Sequence, residues 1–126
     1  KYHERAKPET PKPSNLRRYA EVAERSGVFA PGAIDRLKER SALALMWLEH
    51  LLLHAMLQQA SGAWSWGRYV VVYPAGNTDV AEACKRYRAL LADASSFACA
   101  TLEDLLEAGA LPVPTVAALR DRYLPG

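Results

Sequence analysis

The sequence predicts an α/β fold in which helices pack on a sheet. Three observations lead there. Ser41 to Gln59, SALALMWLEHLLLHAMLQQ, is apolar on nearly every side and contains neither Gly nor Pro, so it reads as a helix of about five turns. Arg68 to Tyr73, RYVVVY, is β-branched and aromatic and stops at Pro74-Ala75-Gly76, which marks the clearest strand. After the apolar helix the order reads strand, helix, short strand, helix, helix, and that alternation belongs to layered α/β architecture.

The long helix is expected to be buried almost all round, because an amphipathic surface helix would show one apolar stripe. Glu49, His50, His54 and Gln58 interrupt its second half. Charged and imidazole groups in mid-segment would be costly at a bilayer centre, so the segment reads as a core helix and no membrane partner is expected. The RYVVVY strand lacks polar alternation, which predicts burial on both faces of a mixed or parallel sheet.

The remaining elements follow in order. Residues 5–14, RAKPETPKPS, carry three prolines and no apolar period, and predict an irregular surface loop. Asn15 or Ser14 can cap a helix from Leu16 to Arg25, ended by Gly27. A turn through Pro31-Gly32 leads to a short helix, Ala33 to Arg40, with Ile34 and Leu37 inward. Trp64 and Trp66 flank a hinge after the core helix, where large aromatics usually cover a core edge and less often stack on a base. Asn77 caps a helix to about Leu91, with Val80, Ala83, Cys84, Tyr87, Leu90 and Leu91 at helical spacing. Phe97 to Ala100 suits a minor strand. Thr101-Leu102-Glu103-Asp104 resembles a capping-box start to a helix ending near Gly109. Pro114 opens a last helix, Thr115 to Tyr123.

Length and composition set the outer limits. A chain of 126 residues suits a single domain, and half its residues are hydrophobic, as in ordinary globular proteins. A net charge of +2 permits a nucleic-acid partner without arguing for one. Two cysteines, Cys84 and Cys99, show no metal-ligand spacing, so buried or half-buried thiols in a reducing cytoplasm are expected. A strand buried on both faces needs neighbours that the sequence does not visibly contain. Together with the missing initiator Met, this predicts that residues 1–126 are the C-terminal part of a larger domain.

Candidate chemistry is sparse. No phosphate-cradling Gly loop, nucleophile elbow or zincin motif occurs. His50 and His54 lie one helical turn apart and could face one metal ion, but a third ligand is required and Glu49 points about 100° away. Core-edge imidazoles bonded to neighbours are the plainer reading, and no metal ligand is assigned. Arg17 and Arg18 sit on the outer face of the first helix, as a solvated surface partly balanced by Glu21 and Glu24 or as phosphate contacts.

Several short motifs together resemble the PD-(D/E)XK nuclease-like superfamily. They are Lys1-Tyr2 at a strand end, Arg18-Tyr19-Ala20-Glu21 with Ser26-Gly27, and Trp47 with His50-Leu51-Leu52. Gly67-Arg68-Tyr69-Val70 through Tyr73-Pro74-Ala75-Gly76-Asn77 follows, then Tyr87-Arg88, Thr101-Leu102-Glu103 and Arg120 through Leu124. The resemblance spans nearly the whole chain. It implies a restriction-endonuclease-like core fragment, a mixed sheet flanked by helices around a long buried central helix. It further implies that Lys1 is the catalytic lysine of a (D/E)xK motif, with Arg17, Arg18 and His50 as substrate-binding candidates and nucleic acid as the substrate. Mg²⁺ would be the cofactor, held by acidic residues expected before Lys1. Leu45 and Leu48 occupy positions where similar sequences tend to carry polar groups near the Trp. That departure favours the alternative, a non-catalytic α/β binding or assembly module on the same fold.

Overall fold

The computed structural model describes residues 5–124 and residue 126. A 3₁₀ turn at Pro13–Asn15 leads into α1 (Leu16–Ser26), followed by α2 (Ala33–Lys38) and α3 (Ala44–Leu57). Then come β1 (Tyr69–Tyr73), α4 (Thr78–Arg88), β2 (Phe97–Thr101), α5 (Leu102–Glu107) and α6 (Val113–Tyr123). The alternation expected from the sequence is therefore present. β1 and β2 pair in parallel with Val71 opposite Cys99, and α4 supplies the crossover that parallel strands require. Among the described residues the sheet holds these two strands, both parallel, so the mixed character expected of it is not seen there.

Local chemistry accounts for the element ends. Gly27, at φ 69°, closes α1 in the left-handed region that an L side chain avoids. The side chain of Asn77 accepts the Val80 amide at 3.2 Å and opens α4. Thr101 does the same for the Asp104 amide at 3.1 Å in α5. Asn15 behaves differently from expectation. Its amide donates to the Tyr19 hydroxyl at 3.2 Å and caps nothing.

The central helix needs the largest correction. It runs over Ala44–Leu57, five residues shorter than Ser41 to Gln59, because residues 41–43 form a bridge and turn and Gln58 closes the last turn. It is also not covered all round. Ala44, Met46, Trp47, His50, Leu51 and His54 are buried, while Leu45, Leu52 and Met56 are exposed, Leu52 at 64%. No helix among the described residues is long and apolar enough to cross a membrane.

Two smaller corrections follow from the same packing. β1 is buried on one side only: Val71 is inside and Val70 is exposed. The proline-rich segment 5–14 is partly docked, since Pro11 is fully buried. Glu9 and Ser41 exchange backbone hydrogen bonds at 3.0 Å in each direction. The Ala6 amide also reaches an Asp79 carboxylate oxygen at 3.2 Å.

The core gathers Leu37, Met46, Trp47 and Leu51 from the helices and Leu43 from the turn before α3, with Val71, Val80, Tyr87 and Phe97 around the strands. Trp47 is wholly buried, with Tyr19 edge-on to its ring at a centroid distance of 6.0 Å. Trp64 and Trp66 do not cover a core edge, being 55% and 75% exposed. α6 contributes no buried residue.

Candidate functional site

The chemistry-bearing side chains of the described chain meet where the second half of α3 faces the connection between α4 and β2. A helix stacks residues four apart on one face, so His50 and His54 project together toward Ser96, which immediately precedes β2. Tyr87, on the inner face of α4, closes the other side.

The contacts form a continuous chain. Tyr87 Oη lies 2.9 Å from His50 Nδ1, and His50 Nε2 lies 2.8 Å from Ser96 Oγ. Ser96 Oγ is 3.1 Å from His54 Nε2, and the two Nε2 atoms are 3.3 Å apart. One polarity gives every proton from Tyr87 through to His54 Nε2 an acceptor. The Tyr87 hydroxyl has no other acceptor among the described residues, so it donates to His50 Nδ1. His50 Nε2–H then donates to Ser96 Oγ, whose own proton goes to His54 Nε2. The reverse polarity would leave the buried Tyr87 proton without an acceptor, which is costly. The imidazole tautomers are thus assigned from the network.

The surroundings explain the electrostatics. Rings of Phe29, Tyr69, Tyr87 and Phe97 stand around His50, each with its centroid 5.9 Å away. Burial among them, reinforced by the neighbouring His54, pulls the His50 imidazole down to about 4. Burial also lowers His54, with Asp93 opposing the shift. Both rings are therefore neutral at physiological pH. Burial likewise raises the Tyr87 phenol, so it remains a donor. Beside this chain, Tyr69 donates to a Glu49 carboxylate oxygen. Burial, then that carboxylate, holds the Tyr69 proton on.

A second pair lies between α4 and β2. The Cys84 thiol is hydrogen-bonded to Cys99, which raises Cys84 and lowers Cys99. Cys84 is buried, Cys99 is half-buried, and both are free thiols.

The residues singled out from the sequence fall in different places. Lys1 lies outside the described residues. Arg17 and Arg18 are exposed on α1. Arg17 Nε pairs with Glu21 at 3.1 Å and borders an open groove of about 430 Å³ with Glu24 and Lys38. His50 is fully buried with both ring nitrogens engaged, so the structure does not set it on the same surface as the two arginines. Sequence reasoning missed Ser96, because a serine in a short polar loop carries no signal. It placed Tyr87 correctly on a packing face but could not see that its hydroxyl is aimed at His50.

The described residues do not fit a magnesium site. No group of three or more His, Cys, Asp or Glu side chains among them is arranged to hold a metal. A hard cation such as Mg²⁺ takes carboxylate and water oxygens, whereas Glu49 is bonded to Tyr69 and Asp93 caps the Ser95 amide at 2.9 Å.

Comparison with known protein families places the chain. The family model described as PD-(D/E)XK nuclease superfamily aligns with residues 1–125. No curated protein and no solved structure shows significant similarity to the chain. With a family match over essentially its whole length, and a parallel α/β arrangement compatible with that fold, the chain belongs to the PD-(D/E)XK nuclease superfamily.

Proposed function

We propose that this chain serves a Mg²⁺-dependent PD-(D/E)XK nuclease-like hydrolase acting on nucleic-acid phosphodiesters. The observation that carries the reading is the family match across residues 1–125. In it Lys1 is the catalytic lysine, whose ammonium stabilises charge developing on the attacked phosphate or polarises the nucleophile. Arg17 and Arg18, exposed on α1, make phosphate contacts that position the strand without reading its sequence. His50 acts from behind the surface, fixing Ser96 and His54 through the chain of hydrogen bonds. Mg²⁺, when bound in such enzymes, activates water and neutralises phosphate charge. The described residues supply no site for it, so no step attributed to this chain runs through the metal.

A second reading is favoured by Leu45 and Leu48 at positions where similar sequences carry polar groups, and by the lack of a carboxylate set among the described residues: a non-catalytic α/β module on a degenerate nuclease fold, used for binding or assembly. Incubating the protein with end-labelled DNA and RNA, with Mg²⁺ and with chelator, separates the two. The nuclease reading expects Mg²⁺-dependent cleavage that disappears in Lys1→Ala. Cleavage unchanged by that substitution removes Lys1 from the site. Binding without cleavage of either nucleic acid favours the non-catalytic module.

A further inference from the structure

We propose that Cys84 and Cys99 form a redox-active dithiol, in which Cys99 reacts with a peroxide and Cys84 then closes a disulfide with it. The site does not depend on the nuclease reading. Its placement comes from the register of α4 against β2. Tyr87 and Arg88 stand over Phe97: the Tyr87 and Phe97 ring centroids are 4.9 Å apart, and Arg88 Cζ is 5.8 Å from the Phe97 ring. Four residues back along α4 from Arg88 is Cys84, on the same side of the helix. Two residues on from Phe97, on the same face of β2, is Cys99. Four helical residues span about 6 Å and two strand residues about 6.6 Å. Because α4 joins parallel strands it runs back across them, so these two steps coincide and bring the cysteines opposite each other. Their thiols are hydrogen-bonded there.

The surroundings divide the roles. Cys84 is buried, whereas Cys99 is half-buried and is the one a small oxidant can reach. The Cys84 hydrogen bond, and then the Arg88 guanidinium, pull the Cys99 thiol down against the opposing effect of burial. The hydrogen bond to Cys99 and burial push Cys84 up, so it keeps its proton and donates it. The thiolate is the reactive form, and a neighbouring cation is what favours it. The Cys99 sulfur attacks one oxygen of hydrogen peroxide, the O–O bond breaks, and the departing hydroxide is protonated to water. Cys99 is then a sulfenic acid. The Cys84 sulfur gives up its proton and attacks the Cys99 sulfur, the S–S bond forms, the S–O bond breaks, and a second water leaves. Two thiols have lost two electrons, and one peroxide has become two waters. A dithiol reductant reverses the step by exchange. The bond ties α4 to β2 and closes a loop around Ser96, which lies between the two cysteines in sequence.

The test treats the whole reduced protein with hydrogen peroxide and follows it by intact mass and by non-reducing peptide mapping. The expected product is the monomer less two hydrogens, with the Cys84 and Cys99 peptides joined and released again by dithiothreitol. In Cys84→Ser the sulfenic acid should persist at Cys99 and be captured by dimedone. In Cys99→Ser the remaining thiol should react at least about tenfold more slowly, as a buried thiol away from its activated form. Arg88→Met should slow the reaction of Cys99 by about threefold or more, because a smaller thiolate fraction outweighs the gain in nucleophilicity. The proposal is overturned if the native chain loses its thiols no faster than the urea-unfolded chain. Cross-links only between chains, a sulfenic acid at Cys99 of the unmodified protein with no disulfide, or dimedone captured first at Cys84 overturn it as well. The peptide map of the unmodified protein decides the matter even if a variant fails to fold.

Discussion

The two sides of α3 both carry large apolar residues and have opposite fates. One side presents Trp47, His50, Leu51 and His54, all buried, with Trp47 against Tyr19 of α1 and His50 against Tyr69, Tyr87 and Phe97. The other presents Leu45, Leu52 and Met56, all exposed. Hydrophobicity along the helix does not distinguish them, since Leu51 is 4% exposed and Leu52 is 64%. What separates the sides is whether a neighbour exists to receive the side chain. The polar groups show this more sharply than the apolar ones. Two histidines stay inside because Tyr87 and Ser96 meet their nitrogens, which satisfies the rule that buried polar groups be hydrogen-bonded.

Substitutions can break this contrast, and the largest effect belongs to the inner side. Trp47→Ala removes a wholly buried ring and is expected to cost about 3–5 kcal/mol, read as a fall in the urea midpoint. A loss below about 1 kcal/mol would show that the inner side is loosely packed. Acid comes next. The His50 imidazole is held near 4 in the folded chain against about 6.5 unfolded. The unfolded chain therefore takes up a proton first as the pH falls. Stability from this group is complete above about pH 6.5 and is lost progressively down to about pH 4, on the order of 3 kcal/mol in all. Urea midpoints along that range should decline, and His50→Asn should flatten the decline. Smallest is the outer side, where Leu52→Gln is expected to stay within about 0.5 kcal/mol. A larger loss would mean that the exposed stripe is covered in solution.

Much of the scaffold was legible because it rests on local signals. Asn77 and Thr101 announce helix starts, Gly27 a helix end and the valine run a strand, each through chemistry acting within a few residues. The errors came from inferring coverage. A helix apolar on all sides and a strand without polar alternation both implied neighbours, and those neighbours are not present among the described residues at Leu52 or Val70. The site was legible only by half. The spacing of His50 and His54 was plain, but Ser96 joins them from a loop 42 residues beyond His54, and no local pattern encodes such a meeting. Trp64 and Trp66 illustrate the converse: aromatic residues suggest burial, yet both stand in solvent.

The segment that carries Ser96 is held by partners far away in sequence. The Val28 carbonyl accepts the amides of both Ala92, at 2.8 Å, and Asp93, at 3.2 Å, and the Ala30 amide donates to the Leu90 carbonyl at 2.9 Å. Phe29 and Leu91 form an antiparallel bridge at the same place. This fastening has a kinetic meaning. Contacts between segments so distant must overcome loop-closure entropy before they repay it, whereas α3 can form its turns from its own residues. The serine therefore takes its place opposite the histidines only once the two halves of the chain have docked, and the age of that docking sets the age of the site.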